Sequence, residues 1–128
     1  MKTRFLGVLA LLLATALPAA AGDLVGRWTA EFDTPVGMQK YVYVFNKSGD
    51  VLTGEATYEH SFGKGTVPLE NVKVDGDKVT FSENQTFEGS PLLITYNGTM
   101  TGDEIKFVRV VGDFGTNELT AKRAAATK

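Results

Sequence analysis

The chain has 128 residues, 13 basic against 15 acidic side chains and no cysteine, which excludes disulfide staples, thiolate metal centres and thiol nucleophiles. A net charge of −2 offers none of the clustered basic surface that a nucleic-acid partner calls for. The length suits one domain with one core.

The first residues, MKTRFLGVLALLLATALPAAAG, place Lys2 and Arg4 before an apolar run from Phe5 to Leu17, followed by Pro18 and a row of alanines. This is the layout of a secretory signal peptide, with Ala19 and Ala21 at the small-residue positions before Gly22. The run is too short to span a bilayer as a helix, and no cysteine is present to take an acyl anchor. Residues 1–21 are therefore expected to be removed, leaving residues 22–128 as a single domain in the periplasm or outside the cell. Loss of Lys2 and Arg4 leaves 11 basic against 15 acidic residues, a net −4.

Beyond the leader, glycine-containing turn signals recur: TPVGM at 34–38, NKSGD at 46–50, FGKGT at 62–66, VDGDK at 74–78, FEGSP at 87–91, MTGDE at 100–104 and GDFGT at 112–116. Seven turns separate eight segments, the rhythm of an all-β barrel or sandwich. In the first segment Trp28, Ala30 and Phe32 share one face and Arg27, Thr29 and Glu31 the other. The second, KYVYVF, is apolar on both faces, and its aromatic set Tyr41, Tyr43 and Phe45 is assigned to the interior. Val79 and Phe81 oppose Lys78, Thr80 and Ser82. Leu92, Ile94, Tyr96, Gly98 and Met100 line one face of the sixth segment, and Leu119, Ala121 and Arg123 do so in the last. Tight hairpins are expected at Asp75-Gly76 and Thr101-Gly102. The stretches YEHSFGKG and ENQTFEG read as connections with room for a helical turn.

Eight sequential antiparallel strands form an open sandwich or close into an up-and-down barrel, and closure alone removes the exposed edges. An outer-membrane barrel would need an apolar outer band, whereas Arg27, Glu31, Lys78, Glu104, Lys106, Glu118 and Lys122 sit opposite the apolar sets. No membrane insertion is expected. A barrel of eight strands is filled by side chains or holds one small ligand.

Gly26-Arg27-Trp28 at the start of the first strand, with Arg123 at the end of the last, resembles the signature of the calycin superfamily, which includes lipocalins, fatty-acid-binding proteins and avidins. That resemblance implies a closed barrel in which the Arg packs across the Trp and seals one end. Arg on Trp is also favourable in itself, since the guanidinium stacks on the ring and keeps its donors for carbonyls. Neither the avidin biotin residues nor the lipocalin loop motifs are recognisable, so no ligand is implied. The runs GRWTAEFDTPVG, LTGEA, VKVDGDKVTF, ITYNGTMTGDEIKFVR and VGDFGTNELTAKR are similar to a family of small exported bacterial domains, met alone or beside carbohydrate-active proteins, which carries no activity over.

Chemistry-bearing groups are few. His60, the sole histidine, neighbours Glu59 and Ser61, but a catalytic triad needs three converging groups and zinc needs three or four N or S ligands. It reads as an exposed loop residue. Asp75 and Asp77 around Gly76 lack the further oxygens of a calcium loop and read as a hairpin turn. Neither metal nor cofactor is expected, and no acid, base or nucleophile set marks an enzyme. Arg109 shares a face with Ile105 and Phe107. Either it points into the barrel, where it must be paired or answered by a ligand, or a bulge or rim position turns it out. Because the apolar faces offer few acidic residues, the inward reading assigns Arg109 to a ligand together with Tyr41, Tyr43, Phe81 and Tyr96. The expected function is a non-enzymatic binding module for a small amphipathic or carbohydrate ligand. The alternative is a protein-interaction module using residues 58–66 and 84–91 at the barrel mouth.

Overall fold

Short alternating segments joined by glycine turns leave each strand with one apolar face to bury, and eight of them in sequence bury it by rolling up. The computed structural model describes residues 24–124. It contains β1 (Gly26–Thr34), β2 (Gly37–Ser48), β3 (Val51–His60), β4 (Gly63–Asp75), β5 (Lys78–Phe87), β6 (Ser90–Thr101), β7 (Glu104–Val111) and β8 (Gly115–Arg123). Each strand pairs antiparallel with the next, and β1 pairs with β8 through Trp28↔Arg123 and Thr29↔Lys122. The sheet is a closed eight-stranded up-and-down barrel, which removes the sandwich alternative. Residues 1–21, read as a signal peptide, lie outside the described residues.

The connections are tighter than the sequence suggests. Gly76 (φ 63°) and Gly102 (φ 62°) adopt the left-handed geometry of two-residue hairpins. The stretches 58–66 and 84–91, expected as mouth loops with room for a helical turn, are mostly strand: β3 runs to His60, β4 starts at Gly63, β5 runs to Phe87 and β6 starts at Ser90. Their polar residues hid a continuing period-two alternation. The three turns at one end each carry a Gly-Asp pair, at Gly49-Asp50, Gly76-Asp77 and Gly102-Asp103. At the other end the turns expose Val36, Phe62 and Phe114, with Phe87 at the tip of β5.

Alternation sorts the side chains as expected. Trp28, Ala30, Phe32, Tyr41, Tyr43, Phe45, Val79, Phe81, Ile94, Tyr96 and Met100 are buried, while Arg27, Glu31, Lys78, Lys106, Glu118 and Lys122 are exposed on the outside. Mid-barrel, Phe81 stacks on Tyr96 at 4.4 Å between centroids, and Phe107 meets both edge-on at 5.4 and 5.5 Å. Phe107 fits because its cross-strand partner is Gly98. A Cβ there would stand 2.5 Å from the ring. Each of these large buried side chains contributes about 1.5–3 kcal/mol through burial.

The end with the Gly-Asp turns is sealed. Trp28, fully buried, donates its Nε1 hydrogen to the Leu24 carbonyl at 2.9 Å, and Leu24 is itself fully buried. The Arg123 guanidinium lies 4.3 Å above the Trp28 ring, its Nη1 donating to the Val25 carbonyl at 3.2 Å and its Nε to Asp103 at 3.0 Å. Gly26 lets this happen: its φ is 130°, and a Cβ would sit 3.4 Å from Arg123 Nη1. The glycine of the Gly-x-Trp pattern is thus required by its backbone conformation, while a Cβ would make only an ordinary contact with the arginine. Replacing Arg123 with Ala is expected to cost about 1–2 kcal/mol through lost stacking and unmatched carbonyls, read by urea denaturation. An unchanged midpoint would show that the lid does not stabilise the barrel.

Candidate functional site

Above the aromatic layer the inward positions turn polar. Gln39 follows Phe32 across the β1/β2 pair, Glu83 and Gln85 continue the face of Val79 and Phe81 along β5, Arg109 continues that of Ile105 and Phe107 along β7, and Asn117 precedes Leu119 on β8. Because strand alternation is strict here, four strands aim polar groups at one level of the barrel.

Arg109 points inward and is 4% exposed, so neither a bulge nor a rim position turns it out. It is not, however, unanswered: Glu83, fully buried on β5, supplies the acidic partner. The Tyr96 hydroxyl donates to Glu83 Oε1 at 2.8 Å and accepts from Arg109 Nε at 2.9 Å. The Tyr41 hydroxyl donates to Glu83 Oε2 at 2.7 Å and accepts from Arg109 Nη2 at 3.0 Å. Carboxylate and guanidinium are each bidentate, and two phenols relay between them in a closed ring. Gln85 Nε2 adds a third bond to Glu83 at 2.6 Å, Asn117 Oδ1 accepts from Arg109 Nη1 at 3.0 Å, and Tyr43 donates to the Tyr96 oxygen at 3.1 Å. The guanidinium also lies 5.2–5.7 Å from the ring centroids of Tyr41, Phe32 and Tyr96. The reading that gives Arg109 to a ligand because the apolar faces offer few acidic residues is corrected to this extent: Glu83 on β5 is such a residue and answers Arg109 from within the barrel. Its signal was in the sequence: Val79, Phe81 and Glu83 lie at alternate positions.

Electrostatics follow from this arrangement. Burial, reinforced for Tyr41 and Tyr96 by the Glu83 charge, pushes the hydroxyls of Tyr41, Tyr43 and Tyr96 far up, so they stay protonated and able to donate. Burial works against the Arg109 charge, but Tyr96, Tyr41 and Glu83 outweigh it and hold the guanidinium protonated. The ring carries one positive and one negative charge and is neutral as a unit.

The ring floors a cavity of about 410 Å³ that opens at the apolar end of the barrel. Arg109, Tyr41, Gln39, Gln85, Asn117 and Ile94 form its lower wall, and Pro35, Val36, Phe62, Phe87, Leu92 and Phe114 its rim. Of the residues assigned to a ligand from sequence, Arg109 and Tyr41 reach this cavity. Tyr43, Phe81 and Tyr96 do not line it and pack beneath, as filling. Gln39, Gln85, Asn117 and the rim phenylalanines were not anticipated. The turn phenylalanines in FGKGT, FEGSP and GDFGT were visible as apolar residues where polar ones are usual. A wider hollow of about 720 Å³, bordered by Glu31, Lys40, Glu59, Lys64 and Lys122, brings together mostly exposed charges.

His60, expected as an exposed loop residue, is half-buried at the end of β3, lines the cavity and stacks on Tyr58 at 5.1 Å. Its Nδ1 accepts the Phe62 backbone N–H at 3.2 Å, while Ser61 Oγ donates to the Val36 carbonyl. The histidine and serine therefore face separate partners and form no nucleophile–base pair. Among the described residues no cluster of three His, Cys, Asp or Glu is placed to hold a metal.

Two measurements check this description. Removing one charge from the ring leaves the other buried and uncompensated, so Arg109→Met and Glu83→Leu should each cost about 3–5 kcal/mol, and the double variant much less than their sum. Additive losses in urea denaturation would rule out the relay. Desolvation, with a smaller contribution from Arg109, lowers the His60 pKa below its ordinary 6.5. A folded value below the unfolded one means that protonation favours unfolding, so this group's contribution to stability is present above that range and fades as pH falls. An NMR titration of the imidazole should give a midpoint below 6.5; a midpoint above it would contradict the buried setting.

Comparison with protein-family models, with curated proteins and with solved structures finds no match, so the site is read from its own geometry.

Proposed function

We propose that this protein is an exported, non-enzymatic, calycin-like binding module that takes a small amphipathic or carbohydrate ligand in the open end of its barrel. One observation carries the reading: a cavity of about 410 Å³ with a polar floor and an apolar rim at one end of the barrel. That volume lies within the usual range for small-molecule sites, and apolar walls with a few convergent polar groups are their usual lining. Export rests on the sequence of residues 1–21. The non-enzymatic character rests on hydroxyls that are engaged with one another and on a histidine separated from the neighbouring serine.

The exposed rim favours a second reading, docking of a protein partner. Val36, Phe62 and Phe114 are 51%, 66% and 70% exposed, and apolar tips gathered at one end mark an interaction surface. Both readings use the same end of the barrel, and one experiment separates them. Screening fatty acids, fatty alcohols and amides, aromatic acids and oligosaccharides by thermal shift should yield at least one compound that raises the melting temperature, as mass action requires of a native-state ligand. A flat response across the panel would leave the partner-docking reading in its place.

A further inference from the structure

The cavity floor holds hydrogen-bonding capacity that the barrel does not use. Gln39 is 7% exposed and lines the cavity, yet its side-chain amide makes no hydrogen bond among the described residues. No fully buried polar atom among them lacks a partner, so the amide is turned to the cavity. Its neighbours have fixed orientations. Gln85 must direct Nε2 at the Glu83 carboxylate, which leaves Oε1 as a spare acceptor. Asn117 must direct Oδ1 at the guanidinium, which leaves Nδ2 as a spare donor. Arg109 has given one N–H from each nitrogen and retains one on each terminal nitrogen. The floor offers donors and acceptors together, over a ring whose charges already cancel.

From this we infer that the cavity takes an uncharged amphipath, polar end first, whose head both donates and accepts hydrogen bonds, as a primary amide or a hydroxyl does. The inference rests on the proposal that the open end is a small-molecule site. A carboxylate entering the same place would bring a third charge into a desolvated site where Glu83 has claimed Arg109, and would meet the Gln85 oxygen as a second acceptor. An ammonium would face the Arg109 charge. A neutral head carries neither cost and supplies partners to Gln39, whose amide faces the cavity and makes no side-chain hydrogen bond among the described residues. The apolar body then runs outward past Leu92 and Ile94 to Phe62, Phe87 and Phe114, which would otherwise face water at the rim.

Three probes with one apolar body and different heads test this: octanamide, octanoate and octylammonium, titrated into the purified protein at neutral pH and followed by NMR of side-chain amides. Octanamide should shift the Gln39 and Asn117 signals and bind at least about tenfold more tightly than either charged probe. Octanoate binding in the cavity as tightly as octanamide would overturn the uncharged-head inference and leave the small-molecule site standing. Silence from all three would remove the site, and the inference with it. Glu83→Gln, which leaves Arg109 as a naked cation, should shift the preference towards octanoate. Should that variant fail to fold, Gln39→Leu, which lies outside the charged ring, should weaken octanamide by about fivefold or more and spare octanoate. Equal octanamide affinity in Gln39→Leu and the parent would overturn the proposal.

Discussion

Everything in the upper half of this barrel depends on neutralising a carboxylate and a guanidinium inside it without letting them touch. Among the described residues the direct ion pairs, Lys122 with Glu104 and Arg123 with Asp103, are at or near the surface. The interior pair instead communicates through Tyr41 and Tyr96, drawn with Glu83 and Arg109 from four different strands. Such a ring tolerates no slippage. A shift of one residue in any of these strands would turn its member to the outside and leave the rest desolvated and unpaired. The network thus fixes the register in which the sheet closes, and register fixes which side chains meet at the cavity floor.

The ring also divides the interior into two regimes. Beneath it, Tyr43, Phe81, Tyr96 and Phe107 fill the barrel with offset and edge-on ring contacts down to the Trp28 and Arg123 lid. Above it the inward residues shorten or turn polar, and space remains. The two ends are finished accordingly. Gly-Asp turns give the sealed end a polar surface, while the open end carries phenylalanines in mutual edge contact, Phe62 with Phe87 at 6.3 Å and Phe87 with Phe114 at 5.4 Å.

How much of this was legible in the sequence depended on whether a residue's environment is set locally. Turn glycines and period-two alternation are local, so strand count, the inward aromatics and the hairpins at Gly76 and Gly102 could be read directly. The pairing of Trp28 with Arg123 was legible because each sits at a chain end of a sheet expected to close. Glu83 was missed for the opposite reason. ENQTF lacks the apolar beat that signals a strand, so it was read as a connection, although counting on from Phe81 places Glu83 and Gln85 inside. The cavity was not legible at all, because it depends on which layers of a closed barrel lack large side chains, and closure brings together residues far apart in the chain, 68 positions in the bond from Arg109 to Tyr41.

A structural account alone explains only part of the polar layer. Glu83 and Arg109 require each other, and the two phenols require both, so that ring would persist in a barrel with no ligand at all. Filling the same level with packed aliphatic side chains would generally match or exceed the stability of a buried ion pair, and would leave no role for Gln39. The Gln39 amide finds no partner in the fold among the described residues and is reached from the cavity, so its hydrogen bonds are made to whatever fills that cavity, water or ligand. Gln39 therefore separates the two parts of the layer: the ring belongs to the architecture of the barrel, whereas the groups above it are matched from the cavity.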